Sequence, residues 1–251
     1  MKVAVYTCIT NSYDSVISPK IINPNIDYYC FNDGSIKVKQ PWIDILINEN
    51  LSPKDINRKL KLQPHLNEIL NKYELTIYVD GSIEILSNLQ NLIDIMYLTD
   101  GHTFVYNHNF RNCILEECIE CYLSNKVSLI SCRKMRKHLE IEGMSAGFGM
   151  FEAGVILRKS KSYDCIFLMD KWWDNYMNSF GVKRDQIALM YTLWKYKLNV
   201  NSLGLPDFHN GHQHFKLKTS HKNIFFKQVF NWWVRRPIRI LLIYLKIIKI
   251  A

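Results

Sequence analysis

Two aspartates, Asp33 and Asp80, close the apolar runs "IDYYCFND" and "LTIYVDGSI", and Thr7, Thr10 and Asn11 gather at the end of a third, "KVAVYTCI". Open α/β sheets bind ligands outside the carboxyl ends of their strands, so these polar residues form one candidate constellation. Asp80 followed by Gly81 and Ser82 is also ordinary turn chemistry. The stretch by itself leaves two roles open for Asp80, a turn cap and a carboxylate offered to a metal or substrate. The metal would be a hard divalent ion, Mg2+ or Mn2+, taking oxygen ligands, with Mn2+ also tolerating imidazole.

Other residues carry comparable alternatives. Arg58 and Lys61 lie at i and i+3 on one helix face, either a solvated basic face or a pair facing an anion. His108 and Arg111 enter a helix three residues apart, where they could bind a ligand or cap that helix together with Glu116 and Glu117. Asp185 and Gln186 begin an amphipathic helix whose buried side holds Ile187, Met190, Tyr191 and Trp194. An acid there suits the helix dipole. Glu152 stands just before "AGVILR". Cys113, Cys118 and Cys121, with His108, could be read as a zinc site. Their helical spacing and the lack of a second C-x-x-C pair favour reduced core thiols.

The elements that must position these groups alternate. Strand-like runs at 2–9 and 26–33 precede a helix opened by Ser52 as N-cap, Pro53 and Asp55, which Pro64 kinks or splits. After the strand ending at Asp80 come a helix over 88–99, a strand near 102–108, a helix over 112–125 and a strand at Gly154–Arg158. Two amphipathic helices follow at 163–180 and 184–196. This alternation predicts an α/β sandwich with a mainly parallel sheet.

The chain has 251 residues, 48% of them hydrophobic, ample for a full-size core. The opening "MKVAVYTCIT" has no charged leader or cleavage site, and the seven cysteines follow no disulfide spacing, so a cytoplasmic protein is expected. The net charge of +9 is uneven: nine of the 32 basic residues fall between Lys216 and Ala251, where there is no acid, and the remaining 23 match the 23 acids. That tail, "NIFFKQVFNWWVRRPIRILLIYLKIIKIA" at its core, is too interrupted by charge for a membrane span. Cationic, aromatic and aliphatic residues without acids fit a helix lying on an anionic membrane. A helix docked on the domain through its apolar side is the alternative. Nucleic acid is not expected, because the apolar excess exceeds what phosphate binding needs.

Six fragments in order resemble the glycosyltransferase family of the plant turgor-regulation and seed-mucilage proteins. They are "VYTCITNSYD", "DYYCFND", "RKLKLQPH" (R-x-x-K-x-x-P-H), "IYVDGSI", "HNFRNCILEEC" and "VKRDQIALMY". The resemblance implies a GT-A-like, nucleotide-sugar-binding domain over 1–215, followed by the basic tail at 216–251. It assigns donor binding to Thr7, Asn11, Asp33, Arg58, Lys61, His65 and Asp80, and donor or acceptor contacts to His108 and Arg111. Asp185, Gln186 and Glu152 become the catalytic candidates, inverting or retaining. Asp80 and Ser82, with His212 and His214 from a late loop and His209 behind them, become ligands for Mn2+ or Mg2+. The sequence departs from the usual pattern at D-G-S, which lacks the second carboxylate of D-x-D, so Arg58 and Lys61 could instead neutralise the diphosphate. The implied partners are a nucleotide-sugar donor, a glycan or lipid-linked acceptor of cell-surface polysaccharide or lipopolysaccharide synthesis, and the inner face of the membrane. A non-catalytic nucleotide- or glycan-binding protein on the same fold is the other expectation.

Overall fold

The computed structural model describes residues 2–178, 182–208, 211–218 and 230–245, which fall into two compact units. The first comprises 1–109, 152–173 and 199–222, and holds the sheet. Its strands are β1 (Val3–Ile9), β2 (Ile26–Asn32), β3 (Ile43–Leu46), β4 (Leu75–Val79), β5 (Ile83–Ile85), β6 (Thr103–Asn107), β7 (Phe151–Lys159), β8 (Asn201–Ser202) and β9 (Phe215–Leu217). Seven form one sheet in the order β3-β2-β1-β4-β7-β6-β8, and β5 and β9 form a separate ribbon. β1 runs parallel to β2 and β4, β2 to β3, and β6 to β8; β7 is antiparallel to β4. The expected α/β fold with a mainly parallel sheet is the one observed.

The strand sequences explain the layering. Every residue of β1 and β4 is buried, so the Thr76 and Tyr78 that alternate with Leu75, Ile77 and Val79 face protein and not solvent. β3, at one edge, is mostly exposed. Helix α1 (Pro53–Leu62) starts as its sequence dictates: Ser52 accepts a bond from the Asp55 N–H, and Pro53 occupies the first turn. It stops before Pro64, which opens a 3-10 turn at Pro64–Leu66. Helix α2 (Gln90–Leu98) follows β5.

The second unit comprises 110–151, 174–198 and 223–251. It contains α3 (Ile114–Leu123), α4 (Leu129–Glu142) and α6 (Asp185–Tyr196); α5 (Tyr163–Met177) begins in the first unit and ends in the second. Of the described tail, Asn231–Arg235 forms a π-helical turn that leads into α7 (Arg236–Tyr244). The cysteines pack as small apolar side chains, all seven of them free and buried.

The tail meets α3 through its arginines rather than its apolar side. Arg236 bridges both carboxylate oxygens of Glu120, at 2.5 and 3.0 Å, and Arg239 donates to the Tyr122 carbonyl and to Asn125. Cations at the carboxyl end of a helix satisfy its last carbonyls and its dipole. Trp232, Trp233, Ile238, Ile240, Leu241 and Tyr244 remain exposed. Among the described residues, no helix is long and apolar enough to cross a membrane.

Candidate functional site

Parallel pairing brings the ends of β1, β2 and β4 to one edge of the sheet. Antiparallel pairing sets the start of β7 beside them, with Val79 opposite Val155. Asp80 follows β4 there. Its N–H donates to the Gly154 carbonyl (2.8 Å), and its own carbonyl accepts from the Ile83 N–H (2.9 Å), which closes the Asp-Gly-Ser turn. The side chain has separate work. Asp80 Oδ1 accepts from the Tyr78 hydroxyl at 2.7 Å and from Lys61 Nζ at 3.3 Å. Closing the turn therefore occupies the backbone of Asp80 and leaves its carboxylate to other partners.

Lys61 is only 1% exposed, whereas the Asp80 side chain is 32% exposed. The ammonium also lies 5.0 Å from the centre of the Tyr78 ring. Burial and the neighbouring Asp80 charge push the Tyr78 phenol well above its ordinary range, while Arg58 pulls the other way. Arg58 and Lys61 thus both act on the Tyr78–Asp80 pair, as their shared helix face requires.

Arg158, which the sequence reading passed over, fixes this arrangement from beneath. Fully buried on β7, it donates to the Lys61 carbonyl (2.5 Å) and the Tyr6 hydroxyl (3.0 Å), and Tyr6 in turn donates to the Leu60 carbonyl (3.3 Å). These are last-turn carbonyls of α1, which lack partners within the helix. An arginine closing the apolar run "AGVILR" was the available signal.

The β1 and β2 loops are knitted together beside Asp80. Asp33 accepts from the Asn11 N–H (2.7 Å) and the Ser35 N–H (3.2 Å), and Ser12 donates two bonds to Ser35, from its N–H to the hydroxyl and from its hydroxyl to the carbonyl. Partial burial raises the Asp33 carboxyl, but the Ser35 hydroxyl and these N–H groups outweigh it and hold the group below the usual carboxylate range. Asn11 and Ser12 both adopt left-handed conformations, φ 55° and 49°, a strained pairing of the kind that concentrates at functional loops. Thr10 ties the end of β1 to the start of α1 through the Pro53 carbonyl (2.7 Å).

Two neighbouring hollows result. An open cleft of roughly 490 Å³ is lined by Ser12, Asp14, Ser15, Ser35, Lys37 and Lys39, among others, and Val16 is shared with a smaller hollow. Thr7, Trp42, Asp80 and Gly81 line the smaller one, and the buried Thr7 Oγ1 there has no hydrogen-bond partner. The serines and lysines of the larger cleft went unread in the sequence because they sit in a polar loop without a motif.

At the same edge His108 Nε2 lies 3.2 Å from Glu152 Oε1; the histidine is buried and the glutamate partly exposed. Arg111 is placed by other partners. It belongs to the second unit, 2.6 Å from Glu117, while Glu116 accepts from the Asn112 N–H, so the helix-entry alternative describes Arg111. His65 is also drawn elsewhere. It lies 3.0 Å from Asp170 of α5, which also accepts from Gln63. Asp185 and Gln186 occupy the first turn of α6 in the second unit, with Asp185 buried.

The late loop returns beside D-G-S, but with a different residue next to it. The Lys218 N–H donates to the Ser82 carbonyl (2.7 Å), and Lys218 Nζ pairs with Glu84 (2.8 Å). The histidines fall at the far end of the β5–β9 ribbon. The His214 carbonyl accepts from the Leu86 N–H, and its ring meets the Ser87 hydroxyl at 2.7 Å. His212 Nδ1 accepts two backbone N–H groups, and its ring packs among Tyr106, Phe208 and Phe215. Burial lowers the pKa of both rings. The expected set of Asp80, Ser82, His212 and His214 is thus drawn apart by the ribbon register, and His209 lies outside the described residues. Among the described residues no cluster of three His, Cys, Asp or Glu side chains could hold a metal. The donor set does not fit a divalent ion: Asp80 Oδ1 is shared by an ammonium and a phenol, and the D-G-S turn puts Ser82 where a D-x-D motif has its second acid.

No family model and no curated protein matches the chain. Among solved structures, the apo form of mouse xyloside xylosyltransferase 1 aligns over 80% of this chain and 84% of its own, with 8% identity and a TM-score of 0.46. Core-mannan synthase A from Aspergillus fumigatus, in a Mn/GDP form, aligns over 77% of this chain and 69% of its own, with 10% identity and a TM-score of 0.46. Likeness at this level carries no argument about chemistry, which rests on the residues of the site.

Proposed function

We propose that the chain is a GT-A-like glycosyltransferase that binds a nucleotide-sugar donor in the hydroxyl- and lysine-lined cleft after β1 and β2. The observation that supports it most is the placing of that cleft beside the Thr7–Asp80 hollow, with which it shares Val16, at the carboxyl edge of the parallel strands. Its volume lies in the range of small-molecule sites. The ordered fragments resembling the turgor-regulation and mucilage-related glycosyltransferases point the same way.

In this reading Asn11, Asp33 and the Ser12–Ser35 bonds hold the cleft's shape, and Lys37 and Lys39 attract the diphosphate. Thr7 offers its unpartnered hydroxyl to the donor. Glu152, oriented by His108, is the group proposed to take the proton from an acceptor hydroxyl. Asp185 and Gln186 enter only through the resemblance of R-D-Q. The acceptor is a glycan or lipid-linked glycan, and the exposed Trp and Ile/Leu side chains of 230–245 support attachment to the inner face of a membrane.

A panel of nucleotide sugars with oligosaccharide and lipid-linked acceptors tests this. Transfer is expected with one donor class, and Glu152→Gln should lower kcat by about 100-fold or more with little change in donor affinity. Donor binding without turnover for any acceptor would instead indicate a non-catalytic binding protein.

A further inference from the structure

We propose that the ion pair between Lys61 and Asp80 stands where a divalent cation would otherwise sit, so that the cleft takes a nucleoside diphosphate without metal. The inference rests on the donor reading above and sharpens it.

Three observations carry it. First, the pair is built in. Lys61 is buried, its Nζ lies 3.3 Å from Asp80 Oδ1, and the carbonyls of its helix turn are held by Arg158 and Tyr6. A buried ammonium needs a partner, and this one has a carboxylate aimed at it. Second, Oδ1 is committed, because it accepts from the Tyr78 hydroxyl as well as from Lys61. A Mn2+ or Mg2+ ion placed on Asp80 would stand beside the Lys61 ammonium and be repelled by it, with Ser82 in place of a second acid. Third, the charge balance suits an anion. With Asp80 cancelled by Lys61, the charged residues lining the cleft are Asp14, Lys37 and Lys39, a net positive set.

Removing Lys61 should therefore turn a metal-indifferent site into a metal-responsive one. Calorimetric titration of the full chain with UDP and with GDP, in EDTA and then in millimolar Mn2+, reads this directly. Wild-type affinity for the nucleotide that binds should agree within about twofold between the two conditions. Lys61→Met leaves the Asp80 carboxylate uncompensated beside the diphosphate, so it should bind about 10- to 100-fold more weakly in EDTA and regain affinity when Mn2+ is added. Circular dichroism of the variant checks that it folds. If Lys61→Met does not fold, wild-type Mn2+ binding in the presence of nucleotide, followed by electron paramagnetic resonance, decides the matter, and none is expected. Nucleotide binding by the wild type that requires Mn2+ would overturn the inference and leave the donor reading standing. Absence of binding under both conditions would overturn the donor reading and the inference with it.

Discussion

Asp80 shows how one residue can meet two demands. Its backbone closes a tight turn and its side chain faces the other way, so ordinary turn chemistry places a carboxylate where the sheet edge needs one. Gly81 makes the turn possible for a steric reason: a Cβ there would lie 2.9 Å from Ile9 Cγ1 and 3.2 Å from the Asp14 side chain. Gly81→Ala should therefore overpack the end of β1 and lower stability by about 1–3 kcal/mol, measured by urea denaturation. An unchanged midpoint would mean that Ile9 can move aside. Asp33 also looks at first like a ligand-binding acid. Its bonds from the Asn11 and Ser35 N–H groups also give it a part in the shape of the cleft.

Among the elements, α1 decides most about the site. Its N-terminus is tied to β1 through Thr10, and its C-terminus is held by Arg158 through the sheet. The buried arginine replaces the capping that a free helix end would take from water, and in doing so sets the height at which Lys61 meets Asp80. Arg158→Leu leaves the Lys61 carbonyl and the Tyr6 hydroxyl without that donor. It should cost about 1–3 kcal/mol of stability, and nucleotide affinity should fall with it. A variant as stable as the wild type in chemical denaturation, with unchanged UDP affinity, would contradict this role. The β5–β9 ribbon is the other decisive element. A shift of its register by a few residues would bring the histidines to Ser82 in place of Lys218.

For the whole molecule, the distribution of charge and of buried histidines governs behaviour in solution. Burial depresses the pKa of His65, His102, His138, His212 and His214 below the ordinary value of about 6.5, with Asp170, Asp164, Glu142 and Asp207 opposing it at the first four. A group with a lowered folded pKa binds fewer protons in the folded state. Its full stabilisation is therefore present above about pH 6.5 and is lost as the pH falls towards the folded values. The Tm should fall between about pH 7 and 5, and His214→Gln should reduce the slope; a Tm constant over that window would refute the assignment. Asp33 acts in a lower window, stabilising above its unfolded pKa near 4 and failing as acid protonates it.

Much of this molecule is legible in one dimension. The buried runs of β1 and β4, the Ser52-Pro53 helix start, the stop at Pro64 and the concentration of excess charge after Asp207 all follow from local composition and periodicity. So does the assembly of Thr7, Asn11, Asp33 and Asp80 at strand ends, because strand order in α/β sheets sends those ends to one edge. Partnership across long sequence distances was not legible. Lys61 meets Asp80 and Arg158 meets Lys61 because α1 packs against β1, β4 and β7, and no local pattern encodes that contact. His212 and His214 lie a few residues from the position a ligand would need, and only the pairing register of β5 with β9 carries them to Ser87. The tail's charge is plain in the sequence. That its arginines turn inward to Glu120 and the last carbonyls of α3, leaving the tryptophans outside, is decided by complementary charge between segments more than a hundred residues apart.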